Sequence, residues 1–169
     1  PEGLPAAECL GGGGAYVGFG VTAHDLCCGV TVTNDQTPNG GDGSGSYPLG
    51  VTSVTFTATD GQGNAATCSV PVRVEDTMPP TLGLSTLADG ARTNSAALNV
   101  SGTAADAAGP VTVTVNGEPV AVADGAFSTL VTLVAGENSL TVAVRDAAGN
   151  RVSASRTIVL DQNAPQITL

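Results

Sequence analysis

Leu140-Thr-Val-Ala-Val-Arg-Asp-Ala-Ala-Gly-Asn150, closed further on by Leu160-Asp-Gln-Asn-Ala-Pro165, decides the fold because the chain carries this pattern twice. The earlier copy is Thr55-Phe-Thr-Ala-Thr-Asp-Gly-Gln-Gly-Asn64, closed by Glu75-Asp-Thr-Met-Pro-Pro80. In each copy a strand-like run ends in Asp-x-x-Gly-Asn, a second such run follows, and Asp-x-x-x-Pro closes the unit. Asp60 and Asn64 thus correspond to Asp146 and Asn150, and Asp76 and Pro80 to Asp161 and Pro165. A repeat of this length marks an array of small modules. Residues 1–77 are read as one module and 78–163 as a second. Residues 164–169 are read as the start of a further one, since Pro165-Gln-Ile-Thr-Leu169 repeats the pattern of Pro80-Thr-Leu-Gly-Leu84.

Composition places the chain among all-β proteins. Val and Thr are abundant, Gly number 23 and Pro 10, and no apolar run keeps helical spacing. Charge narrows the partners. With 15 acidic residues against five arginines, and no lysine, the chain repels nucleic acid and anionic membrane surfaces and attracts cations. No run is apolar and long enough to insert in a membrane. All four cysteines, Cys9, Cys27, Cys28 and Cys68, fall in the first module, an even set that points to disulfides and an oxidising, secreted or cell-surface setting.

Two-residue alternation gives the strands. In the first module Val54, Phe56 and Ala58 face Val70, Val72 and Val74 across the Asp60 to Asn64 turn, which predicts a hairpin. Val30 and Val32 mark another strand and Tyr16 to Val21 a fourth, while Pro38 to Ser46 has the composition of an exposed loop. In the second module, strands are read at Leu82, Leu98, Val111, Val120, Phe127, Leu140 and Val152. Asn116-Gly117, between Val115 and Val120, is a strong hairpin signal because both residues accept positive φ. Seven short strands with turn chemistry between them predict an immunoglobulin or fibronectin type III sandwich, so the whole chain reads as two such sandwiches in tandem.

Ser44 to Asp76, SGSYPLGVTSVTFTATDGQGNAATCSVPVRVED, resembles a hyalin-repeat domain, and the resemblance extends over residues 9–76. Val100 to Asn150 resembles the bacterial immunoglobulin-like modules of surface proteins and secreted carbohydrate-active enzymes. Both resemblances imply extracellular, non-catalytic modules. Hyalin repeats open with a Cys-Pro strand ahead of the position of Pro1, so the edge of the first module is expected to be open or completed by residues outside this sequence. Four cysteines permit three pairings. Strand parity sets Cys28 and Cys68 on the core face, favouring a bridge between them and leaving Cys9 with Cys27; the resemblance implies the second pair. Some related bacterial modules carry a Lys–Asn isopeptide bond, which a chain without lysine excludes.

The chemistry-bearing residues are few. His24 is the sole histidine, and its neighbour Asp25 points to the opposite face if both lie on a strand. Nothing supplies the nucleophile and orienting acid of a triad, so no enzyme is expected. A sugar platform would need exposed aromatic faces, and only Tyr16 and Tyr47 are available for it. The Asp-x-x-Gly-Asn motif explains itself as a turn: Asp caps, Gly supplies positive φ, and Asn tolerates its neighbour's conformation. Calcium adds a second reading. Where the modules join, Glu75, Asp76, Asp106, Asp146 and Asn150 would bring hard oxygen ligands from separate segments to one place. The function expected is a non-catalytic spacer or adhesion segment of a secreted or cell-surface bacterial protein, with neighbouring modules, a surface glycan or a protein as partners. The alternative is an accessory glycan-binding module of a secreted carbohydrate-active enzyme.

Overall fold

A computed structural model describes residues 4–8, 13–26, 29–86 and 88–167. The chain is all-β, with no helix among the described residues. It divides into two compact units, Pro1–Thr77 and Met78–Leu169.

Unit 1 contains β1 (Ala7–Glu8), β2 (Gly14–Val17), β3 (Thr31–Asn34), β4 (Gly45–Pro48), β5 (Gly50–Thr59) and β6 (Ala65–Glu75). The hairpin predicted from alternation is present: β5 and β6 pair from Gly50↔Val74 to Thr59↔Ala65. Val54, Phe56, Val72 and Val74 turn inward and are buried. β3 joins the free side of β5, and β1 runs parallel to β6, giving the order β1-β6-β5-β3. Among the described residues a second sheet holds β2 and β4. Phe19 links the layers, packing on Phe56 edge to face at 6.0 Å and on Tyr47 at 6.2 Å between centroids.

Two expectations need correction here. The strand expected over Tyr16 to Val21 ends at Val17, and pairing resumes as a bridge between Gly20 and Asp42. The stretch from Pro38 to Ser46 is no simple exposed loop. Gly43 is buried, and a Cβ there would lie 2.6 Å from the Phe19 ring. Gly45 and Ser46 belong to β4. The cause is Asn34, whose amide nitrogen donates to the carbonyls of Gly40 (2.9 Å) and Asp42 (3.1 Å) while its oxygen accepts from Thr37 N–H (2.6 Å). One side chain thereby satisfies backbone groups that an open loop would give to water.

Unit 2 contains β7 (Thr81–Leu84), β8 (Arg92–Thr93), β9 (Ala97–Ala105), β10 (Thr112–Val115), β11 (Glu118–Val120), β12 (Val122–Ala123), β13 (Ala126–Thr132), β14 (Gly136–Arg145) and β15 (Arg151–Leu160). One sheet runs β11-β10-β14-β15-β8 and the other β12-β13-β9-β7. Their inner faces share one core in which Val113, Val142, Val144 and Ile158 meet Val100 and Phe127. Asn116 and Gly117 adopt φ of 52° and 88° and close the β10–β11 hairpin, as expected of that dipeptide. The strand read at Val120 ends there, since Val120 pairs with Val113 in one sheet and Val122 with Phe127 in the other. A second two-residue hairpin, Asp124-Gly125, joins β12 to β13 with φ of 50° and 75°. Gly102 lets β7 approach closely, because a Cβ there would stand 2.1 Å from the carbonyl oxygen of Gly83.

Candidate functional site

The Asp-x-x-Gly-Asn turn is built alike in both units. In unit 2, Asp146 follows β14 and donates its N–H to the carbonyl of Asn150 (3.1 Å). Its Oδ1 accepts from the N–H groups of Gly149 (2.6 Å) and Asn150 (2.8 Å), and its Oδ2 from the Asn150 side chain (2.9 Å). Gly149 sits at φ 105°, a left-handed value that favours glycine. In unit 1, Asp60 Oδ1 accepts from Gln62 and Asn64 N–H at 2.9 and 2.8 Å, and its Oδ2 from the Asn64 side chain at 2.8 Å. Each carboxylate is therefore held ionised by its own loop. The Asn64 side chain is the main cause that keeps Asp60 below the ordinary carboxylate range, helped by backbone N–H groups. For Asp146 burial pushes the other way, but Asn150 and the N–H groups of its turn outweigh it and the carboxyl still lies low.

Surroundings separate the two turns. Asp146 is only 7% exposed, and a carboxylate oxygen of Asp106 lies within 4.8 Å of one of its own. Asp106 comes from the turn after β9, in the opposite sheet, and is oriented by the N–H of Ala108, which donates to its Oδ1 at 2.8 Å. Two acids from different sheets thus meet at one end of unit 2, an arrangement that suits a hard cation. Asn150, expected as a ligand, donates its amide nitrogen to Asp146 Oδ2. Asp76 is buried in the segment following β6. Glu75 ends β6, where Arg73 Nε holds its carboxylate at 2.6 Å.

Asp60, by contrast, borders an open cleft of about 430 Å³ with Thr22, His24, Asp25 and Asn64. His24 and Asp25 lie on irregular chain rather than a strand, and both are exposed. Cys68 keeps the expected parity, lining a hollow with Val32 and Phe56, but it is exposed and unbridged rather than in the core. Cys9, Cys27 and Cys28 lie outside the described residues. The tyrosine pair does not form a platform. Tyr16 is exposed, but Tyr47 is buried and donates its hydroxyl to the Gly43 carbonyl.

Unit 2 is an immunoglobulin-like module. Its β7, β9, β13 and β12 form one sheet and β10, β14 and β15 the centre of the other, with short strands added at the edges. Residues 80–162, which run through most of this unit, match the family described as glucodextranase, domain B. Bacillopeptidase F of Bacillus subtilis (strain 168) is 35% identical over 115 residues, covering 67% of this chain and 8% of that protein. The chain therefore spans a small part of the length of this curated relative. Among solved structures, the fibronectin(III)-like modules of Clostridium thermocellum CbhA align over 98% of this chain and 95% of theirs, at 17% identity and a TM-score of 0.43. Titin domains z1z2, solved in complex with telethonin, align over 92% of each chain at 13% identity and a TM-score of 0.45.

Proposed function

We propose that the chain is a non-catalytic spacer or adhesion segment of a secreted or cell-surface bacterial protein, built from two sandwich modules in tandem. The observation that carries this reading is the match to Bacillopeptidase F, which occupies 8% of that protein, as a module-sized stretch of a much larger chain would. The match to a domain B of glucodextranase points the same way. Repetition of one closing hairpin in both units is what an array assembled from like modules requires.

Calcium stiffens the array in this reading. Asp106 and Asp146 supply two carboxylates, one from each sheet of unit 2. Calcium takes six to eight oxygens, so carbonyls and water complete the shell. The test is a thermal melt in chelator and in millimolar calcium. An ion bound only to the folded chain at a hundredfold excess over its Kd adds about 2.7 kcal/mol, so the parent melts several degrees higher with calcium while Asp106→Ala does not respond. Identical melting of the parent in both buffers sinks the calcium site.

The accessory glycan-binding reading draws on the glucodextranase name but loses half its aromatic platform with the burial of Tyr47. A glycan array separates the two. A spacer binds nothing on it, whereas saturable binding lost in Tyr16→Ala would establish the accessory role.

A further inference from the structure

Arg145 and Arg151 flank the Asp146 turn and stand directly opposite each other, since β14 and β15 pair in the register Arg145↔Arg151. Their neighbours Val144 and Val152 turn toward the core, so alternation sends both arginines to the outer face of the sheet, where both are exposed. The N–H of Asp146 bonds to the carbonyl of Asn150. That makes Arg145 and Arg151 a non-hydrogen-bonded pair, the kind whose side chains stand closest. Cβ atoms of residues directly opposite lie about 4.5–5.5 Å apart, and like charges placed there repel. Arg145 also leans over the turn, because a Cβ on Gly149 would lie 3.2 Å from its Nη2.

The turn does not require this pair. At the matching places in unit 1 stand Thr59 and Ala65, also directly opposite each other, and Asn64 bonds to Asp60 there as Asn150 does to Asp146. Nor does the protein neutralise the pair. Asp146 directs its oxygens to Gly149 and Asn150, and among the described residues no acid forms an ion pair with either arginine. Two cations held together without a counterion, in a chain of net charge −10, leave the anion to come from outside.

The face around the arginines indicates what carries that anion. By register, Thr114, Thr141, Ser153 and Ser155 share it, and the hydroxyls of Thr141 and Ser155 lie 3.2 Å apart. No large apolar side chain is exposed on β10, β14 or β15. A protein partner would need such an anchor, whereas a row of hydroxyls suits a polyhydroxylated one. The net charge of the chain disfavours a polyanion. We propose that Arg145 and Arg151 jointly bind one oxyanion, a carboxylate or sulfate group carried by an otherwise neutral saccharide. Two guanidinium forks hold such a group through paired N–H donors. The saccharide as source rests on the accessory glycan-binding reading; the oxyanion chemistry does not, and Tyr16 takes no part in it.

An NMR titration of the whole chain tests this, with sodium sulfate added against sodium chloride at constant ionic strength. The Nε–H signals of Arg145 and Arg151 and the N–H of Gly149 move saturably with sulfate, while the N–H signals of Gln62 and Asn64 in the unit 1 turn stay in place. Arg145→Thr combined with Arg151→Ala installs the residues of unit 1 and loses the response, and the retained amide dispersion of unit 2 reports that this variant is folded. A glucose oligosaccharide ending in one glucuronate binds about tenfold more tightly than acetate, through one or two added hydroxyl bonds. Its neutral counterpart does not bind, and added chloride weakens the acidic one. Absence of a saturable shift with both sulfate and the acidic saccharide, or an equal shift in the double variant, overturns the proposal. Sulfate binding without the tighter saccharide overturns the saccharide as source, as does tighter binding of a peptide carrying a single carboxylate. Failure of the Tyr16-dependent glycan binding leaves the sulfate response unchanged, so the two failures are distinct.

Discussion

The turns at Asp60 and Asp146 share their hydrogen bonds to the closing asparagine and differ in what surrounds them. Both carboxylates accept from the backbone N–H and the side-chain amide of the asparagine four residues on. Asp60 borders an open cleft with His24 and Asp25, whereas Asp146 is buried within 4.8 Å of Asp106. Five residues are enough to specify the turn. What the turn can do is decided by the loop that the opposite sheet brings to it.

The same contrast runs through the layers. Unit 2 closes its core between a five-stranded and a four-stranded sheet, while unit 1 sets a four-stranded sheet against two short strands. Core truncation should expose this difference most strongly. Phe127→Ala in unit 2 and Phe56→Ala in unit 1 each remove a buried ring, at a cost of about 3–5 kcal/mol. In unit 1 the loss also strips Phe19 of its edge-to-face partner. Hydrogen exchange followed by peptide should show unit 1 losing protection throughout with Phe56→Ala, and unit 2 retaining part of its protection with Phe127→Ala. Equal losses in the two units would break the comparison.

A smaller difference is expected at two buried glycines. Gly102→Ala drives a methyl to 2.1 Å from a backbone oxygen of β7, and backbone pinned in a ladder cannot give way cheaply. Gly43→Ala meets the rings of Phe19 at 2.6 Å and Phe56 at 2.9 Å, in a layer with fewer neighbours to resist. Overpacking costs about 1–3 kcal/mol, with Gly102→Ala at the upper end and Gly43→Ala lower. Denaturant midpoints of the two variants, read with the same exchange peptides, check the order.

Alternation made the long hairpins legible, because β5, β6, β14 and β15 each carry a full set of inward apolar residues. Asn116-Gly117 was equally plain. Asp124-Gly125 carries the same signal, and without it Val120 and Val122 look like one strand when the chain changes sheets between them. The Pro38 to Ser46 stretch misleads for another reason: its polar composition hides that Asn34, outside the stretch, closes it. Among candidate site residues, Asp106 and Asp146 could be paired from the expected strand order. The ion pair of Glu75 with Arg73 was not legible, since it depends on which face of β6 both residues share. Cys68 shows the limit of parity, which reports the face a side chain takes but not whether another layer covers it.

The smallest effect lies in the turns themselves and is read by pH. Both carboxyls lie below the ordinary carboxylate range: Asp60 chiefly through Asn64, and Asp146 because its loop donors outweigh the opposing effect of burial. A carboxyl with a depressed folded pKa contributes stability that is fully present above its unfolded value, about 3.9, and is lost as pH falls through the folded value. Acid should therefore loosen both turns, and alkali neither. Asp60→Asn and Asp146→Asn, each keeping the side-chain shape without the charge, should flatten the acid limb of their own unit and leave the other unchanged. In NMR the N–H resonances of Gln62 and Asn64, and of Gly149 and Asn150, should titrate with midpoints below the ordinary carboxylate value. A low midpoint at Asn64 combined with an ordinary or raised one at Gly149 would mean that burial and Asp106 dominate at Asp146, and the two turns would then differ in their chemistry as well as their surroundings.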